Sequence, residues 1–340
     1  MKSDPKAAHL AETLAHDAPL ITCRFDPKGL YIFATAEDRS VIRWELATGK
    51  KTVLKAHDSW VGSLAFSPDG ATLVTGGYDD TLIWWPVAAE KPEPIRKVKA
   101  HNGWIRALAV SPDGKLLASG GNDRIAKIWN FADGTPVREM PGHELDIYSA
   151  LFHPAGKFLL TGDLMGKVIQ WDLATGKLAR TFESKDLHHY DGGQQVHFGG
   201  VRGLALSPDG KHLVAGGLHK ATNPLGSVHE PLVVRFDWET QKILKSHVSN
   251  DIKGGVVWGL AMHPDGHLIA CSGGSGGGTL LFWGPADEKP FHQFKLPNTA
   301  REMHLHPDGL RVATAHHDRK LRITRLEAKA PDKPTEKPKT

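Results

Sequence analysis

Short runs of β-branched, aromatic and small apolar residues, broken at close intervals by Gly, Pro, Asp and Asn, extend along almost the whole chain. One stretch shows the pattern: Val61-Gly-Ser-Leu-Ala-Phe66, the turn Ser67-Pro-Asp-Gly70, Ala71-Thr-Leu-Val-Thr-Gly-Gly77, the turn Tyr78-Asp-Asp80, a run ending in Trp84-Trp85, and a last run over 95–100. Pro and Asp preset a tight turn and Gly supplies positive φ, so each run is predicted to be a strand that reverses onto the next. No stretch keeps a helical apolar period for about ten residues, which excludes a parallel sheet covered by helices.

The pattern repeats. Turns of this kind begin at Asp26, Ser67, Ser111, His153, Ser207, His263 and His306, and a second series follows at Trp44, Trp85, Trp129, Trp171, Phe236, Trp283 and Thr324. The second series is spaced by 41, 44, 42, 65, 47 and 41 residues. A period of roughly forty residues is that of a four-stranded unit.

These residues resemble the WD-repeat family of β-propellers, over residues 8–326. The resemblance implies an all-β fold, a single seven-bladed β-propeller of four-stranded antiparallel blades. It further implies a buried hydrogen-bonded chain in each blade, formed by a His before the first strand, a Ser or Thr in the second, an Asp in the next turn and a Trp in the third. Two repeats carry the full set, His57, Thr75, Asp79 and Trp85, and His101, Ser119, Asp123 and Trp129. The carboxylate would fix the imidazole and the hydroxyl would bridge it to the indole, so that every buried polar group finds a partner.

Ala34 in the first repeat, Met165 in the fourth, and Leu296 and Thr324 in the last depart from this set, so those blades are expected to be held by packing alone. His16, His143 and His197 stand ten residues before their turns, as His57 and His101 do, and read as structural. His153, His263 and His306 read as plain turn residues.

The last repeat stops after three strands near Leu326, while His9-Leu-Ala-Glu-Thr-Leu-Ala-His16 resembles a fourth strand and its following His. Residues 9–14 are therefore expected to complete the seventh blade, closing the ring and removing an exposed edge. Residues 1–7 are expected to form a flexible N-terminus, and the Lys- and Pro-rich residues 327–340 a disordered tail.

Composition then narrows the classes of function. At 40% hydrophobic and 24% charged, the 340 residues have the balance of a soluble globular chain. The net charge is only +4, about half of it in the terminal segments. Nucleic-acid binding by phosphate neutralisation needs a concentrated basic face, so a nucleic acid is not the expected partner. Cys23 and Cys271 lie in strand-like runs and cannot supply a disulfide framework. The start shows no secretory apolar stretch and no run of about eighteen apolar residues follows. A cytoplasmic protein with no membrane partner, monomeric on its own, is expected.

No metalloprotease, serine-hydrolase, P-loop or paired-cysteine motif is present, so no catalytic residue and no cofactor is assigned. The long interval instead holds two insertions, 183–192 before the fifth blade and 218–230 within it. In this fold both would crowd one sector of one face. They offer His188, His189, Tyr190, Asp191, His219, His229 and Glu230. Such groups could bind a divalent metal, which makes a metal-binding or enzymatic propeller the competing function class. Their spacing matches no ligand motif, and a solvated polar surface loop is the favoured account of them.

A second constellation follows from register. The residue five before each turn should sit at the mouth of the central channel, giving Ile21, Gly62, Arg106, Tyr148, Arg202, Trp258 and Arg301. Trp60 and Trp104 fall just outside on adjacent blades. Arginines and aromatics around one opening suit an acidic or carboxylate-bearing peptide, through bidentate pairing and cation–π contact. The alternative is that the tryptophans pack on neighbouring loops and the arginines are paired locally. The sequence thus points to a non-catalytic scaffold that binds protein or peptide at the channel mouth.

Overall fold

Each of the first six sequence repeats folds into one antiparallel sheet, its four strands hydrogen-bonded in chain order, and the seventh supplies three strands of a sheet of the same kind. A computed structural model describes residues 2–223 and 228–329; part of the second insertion (224–227) and most of the expected tail (330–340) lie outside the described residues. Blade 1 begins with the strand Leu20–Phe25, blade 2 with Val61–Phe66, blade 3 with Ile105–Val110 and blade 4 with Ile147–Phe152. Blade 5 begins with Gly203–Leu206, blade 6 with Gly255–Met262 and blade 7 with Ala300–Leu305. These first strands approach one another around the centre and wall the channel. Among the described residues no helix is long and apolar enough to cross a membrane.

The core lies between blades because each sheet buries both faces. Adjacent strand residues point to opposite faces, and Trp84 and Trp85 show the result. Trp85 joins Phe33, Val41 and Leu73 at the boundary with blade 1, whereas Trp84 joins Ile105, Leu117 and Trp129 at the boundary with blade 3. The glycine closing each of the seven repeat turns has positive φ, from 66° at Gly29 to 93° at Gly266, as the turn chemistry requires.

The ring closes as expected. Strand His9–Ala15 pairs antiparallel with Lys320–Arg325, from His9 opposite Arg325 to Ala15 opposite Lys320, and becomes the fourth strand of blade 7. Residues 2–7 are not the loose leader expected of them. The Ser3 N–H and hydroxyl donate to Asp265 at 3.0 and 2.7 Å, the Asp4 N–H donates to the Leu326 carbonyl, and Pro5 is buried. The segment reaches past its own blade and ties the closure to the turn of blade 6.

The polar chains in blades 2 and 3 have the geometry the resemblance implies. His57 Nδ1 lies 3.0 Å from Asp79 and Nε2 2.7 Å from the Thr75 hydroxyl, which also accepts from the Trp85 indole at 3.0 Å. His101 makes the same contacts to Asp123 (2.8 Å) and Ser119 (2.6 Å), with the Trp129 indole donating at 2.8 Å. Burial pushes the Asp79 and Asp123 carboxyls up, but the hydrogen bonds and charge of their histidines, with nearby backbone N–H groups, hold both below the usual range.

Packing alone does not hold blades 1, 4 and 7. In blade 4 the Asp comes from the end of the second strand: His143 Nδ1 is 2.7 Å from Asp163 and Nε2 2.6 Å from Thr161, which accepts from Trp171 at 2.7 Å. In blade 1, Ser40 replaces the hydroxyl missing at Ala34, lying 3.2 Å from His16 Nε2. In blade 7, His316 donates to the Asn298 carbonyl and accepts from Thr314 at 2.7 Å, while the Thr324 hydroxyl is buried without a partner.

His197 is not part of such a chain. It lies on an inserted hairpin, Val196–Gly199 paired with His188–Asp191, and faces His188 and Tyr190. Blade 5 uses Ala215 and Phe236 where other blades carry hydroxyl and indole, in a cluster with Leu187. Two turn histidines also do more than fill a turn. His263 Nε2 bonds the Gly309 carbonyl at 2.7 Å and His306 Nε2 the Gly29 carbonyl at 3.2 Å, linking blades 6, 7 and 1 along the rim.

Candidate functional site

All seven residues picked out by register, Ile21, Gly62, Arg106, Tyr148, Arg202, Trp258 and Arg301, line one cavity of about 420 Å³ at one end of the channel. They converge because each occupies the same place in the first strand of its blade. Trp60 also lines the cavity, and Trp60 and Trp104 are 44% and 45% exposed, so both keep large apolar faces in solvent.

Three further residues arrive from the ends of second strands. Glu37, Tyr78 and Asn122 each stand eleven positions after their repeat turn begins, and the same register argument carried to that offset would have found them. Tyr78 stacks on Trp104 with ring centroids 4.5 Å apart and planes 4° apart. Trp104 therefore has one face covered, as the local-packing alternative expected, while 45% of its surface stays exposed. Burial raises the Tyr78 phenol, so it stays neutral.

The three arginines differ. Arg301 forms an ion pair with Glu37 at 2.6 Å, so its charge is answered locally. Arg106 donates through Nε to Asn122 at 2.6 Å and through Nη1 to the Tyr78 hydroxyl at 3.3 Å; its guanidinium carbon lies 5.0 Å from the Trp104 ring and 4.8 Å from the Tyr148 ring. Arg202 donates to the Gly199 carbonyl at 2.9 Å and lies 3.7 Å from the Tyr148 ring and 5.6 Å from Trp258. Burial lowers the Arg202 guanidinium from its usual value. Neither Arg106 nor Arg202 forms an ion pair with a carboxylate among the described residues. Glu302 lines the same cavity deeper in the channel, and its carboxyl is pushed up to about 7, mainly by burial.

The two insertions meet beside this mouth. The strands His212–Asn223 and Val228–Asp237 run past the blade and pack against the hairpin, and Leu218, Ala221 and Val256 form an apolar patch with Phe198 and Trp258. Trp258 therefore joins the mouth to the inserted wall.

The metal candidates do not converge. His188 bonds His197 at 2.9 Å, while His189 stacks on Phe198. Asp191 accepts the Gly193 and Gln194 N–H groups of its own turn, and His229 bonds the Gly255 carbonyl. Glu230 is held by Lys220 and Lys253, with His219 at 3.6 Å. On the opposite rim His263, Asp265 and His267 do gather. There His263 Nδ1 accepts the Asp265 N–H and Nε2 bonds Gly309, which leaves no lone pair for a metal.

Comparison with known proteins agrees with the repeat fold. A family model described as WD domain, G-beta repeat, matches residues 49–86, 92–130, 134–172, 191–220 and 238–284. The chain is 27% identical over 163 residues to transcription initiation factor TFIID subunit 5 of Caenorhabditis elegans, covering 48% of this chain and 25% of that protein. It is 28% identical over 241 residues to apoptotic protease-activating factor 1 of Rattus norvegicus, covering 71% and 19%. Protein HIR1 of Eremothecium gossypii is 27% identical over 257 residues, covering 70% and 25%. The chain thus spans a quarter or less of the length of each of these relatives.

Proposed function

Because this chain belongs to the WD-repeat family of β-propellers, we propose that it is a non-catalytic scaffold that binds a protein partner at the channel mouth through an acidic segment. The observation that carries this is the pair Arg106 and Arg202. Both guanidiniums sit against Tyr148 and neither has a carboxylate, whereas Arg301 in the same ring has Glu37. A charge drawn out of water calls for a counter-charge, and here the open side faces a cavity lined by Trp60 and Trp258, with the exposed Trp104 beside Arg106. Carboxylates of a partner would supply it by charge-assisted hydrogen bonds, and the tryptophans would anchor apolar neighbours.

A relative named as a subunit of an initiation factor is by that name part of an assembly, which supports a protein partner here. Nucleic acid is the less favoured partner, because a net charge of +4 leaves little basic surface for phosphate neutralisation. The insertions add a wall at Trp258 rather than a donor set, which favours partner selection over metal chemistry. In this reading the chain is monomeric until it meets its partner and works in a reducing, cytoplasmic setting.

The test is a peptide array in which each Asp- or Glu-bearing peptide is paired with its Asn or Gln counterpart. Acidic members should bind in preference and weaken with salt. Equal binding of neutral counterparts would overturn the acidic reading.

A further inference from the structure

The other end of the channel carries a second, different constellation. Two residues before each repeat turn, five blades have Ala65, Ala109, Leu151, Ala205 and Ala261. Blades 1 and 7, which are neighbours, have Arg24 and His304 instead; both line a cavity of about 260 Å³ that Arg106 and Arg202 do not line, and both also border the channel interior that those two arginines reach from the mouth side. Its collar is apolar, with Phe66, Val110, Leu151, Phe152, Pro112 and Pro307.

Arg24 makes no side-chain hydrogen bond or close ion pair to another described residue, and the acid whose charge acts on it is the buried Glu302 of the channel interior. His304 Nδ1 accepts the Phe25 N–H at 3.2 Å, which leaves Nε2 to carry the proton. Burial first, and then the charge of Arg24, drive the His304 pKa well below its usual value, so the ring stays neutral with that tautomer fixed. The acid in the wall here, Asp26, is occupied by the N–H groups of Lys28, Leu30 and Tyr31. The cavity therefore presents donors and positive charge at its inner end and hydrocarbon around its rim.

We propose that this cavity is a binding site for a small monocarboxylic acid with an aromatic or medium-chain apolar body. Arg24 would take the carboxylate, with His304 Nε2 as a second donor, and the collar would take the body. The volume suits one such molecule, since a cavity of about 150 Å³ accepts benzene. A peptide terminus fits less well, because collar side chains without hydrogen-bonding groups would leave its backbone unsatisfied.

The experiment is titration calorimetry of the full chain with phenylacetate and hexanoate, and with phenylacetamide as the uncharged match. The acids should bind, the amide at least about tenfold more weakly, the loss expected for a charge-assisted hydrogen bond. R24M should abolish acid binding, and R106Q/R202Q should leave it intact, which separates this cavity from the mouth. The amide comparison needs no variant and holds even if R24M does not fold. No binding at millimolar acid, equal affinity for the amide, or loss in R106Q/R202Q alone would overturn the proposal. Tighter binding of a Phe-terminated peptide with a free carboxylate than of phenylacetate would also overturn it, assigning the cavity to a partner chain.

Discussion

His143 Nδ1 and Asp163 Oδ2 lie 2.7 Å apart with both side chains almost wholly buried. The carboxylate comes from the last residue of the second strand of blade 4, not from the turn where Met165 stands. It also accepts the Met165 and Lys167 N–H groups, so one side chain fixes both the histidine and the turn. Asp163→Ala should therefore destabilise by about 1–3 kcal/mol, the usual cost of leaving a buried donor unpaired. Asp123→Ala should fall in the same range, and Met165→Ala well below it. Urea denaturation of the three variants checks the order.

Deleting residues 1–15 removes the fourth strand of blade 7 and the Ser3 to Asp265 bonds. The whole ring should weaken, with the melting temperature lower by roughly 5 °C or more for a loss of several kcal/mol. A truncated chain that melts with the intact one would refute closure by this strand.

Three histidines make the protein acid-sensitive. His247, His267 and His316 are each lowered to about 4, burial being the main cause, joined at His316 by Arg322. A histidine lowered in the folded state refuses a proton that the unfolded chain accepts. Stability is then full above about pH 6.5 and is lost as pH falls toward 4. Urea midpoints should drop over that window, and His316→Gln should flatten the drop relative to its own value at pH 7.5.

Glu302 acts in the opposite direction. Its carboxyl is raised from 4.5 to about 7, chiefly by burial and against the Met303 N–H and Arg24. The folded protein keeps a proton that the unfolded chain has released, so stability falls as pH rises from about 4.5 to 7. Glu302→Gln should be more stable than the wild type at pH 8 and equal to it at pH 4.

The sequence made blade count, turn chemistry and ring closure legible because each rests on local, repeated chemistry. The mouth was legible for the same reason: one register position in seven equivalent strands must converge on one opening. What escaped were substitutions of role between positions. Asp163 could not be recognised while the turn position held Met165, since a carboxylate two residues earlier reaches the same imidazole only once the turn is built. Ser40 for Ala34 and His316 for the missing His in blade 7 are the same kind of exchange. His197 kept the expected spacing by coincidence, because an insertion displaced it onto a hairpin. Which arginine lacked a counter-charge depended on Glu37, contributed across the blade boundary.

Capture from a lysate of the native source, with the intact chain beside R106Q/R202Q and mass spectrometry of what each retains, tests the mouth as a protein-binding site most directly. Glutamine removes the two unanswered charges while leaving Trp258, which packs against Leu218 and Val256, in place. A protein partner held by the intact chain and lost from the variant, with equal melting temperatures, is the predicted result. The same proteins retained by both would contradict it and move the binding surface away from Arg106 and Arg202.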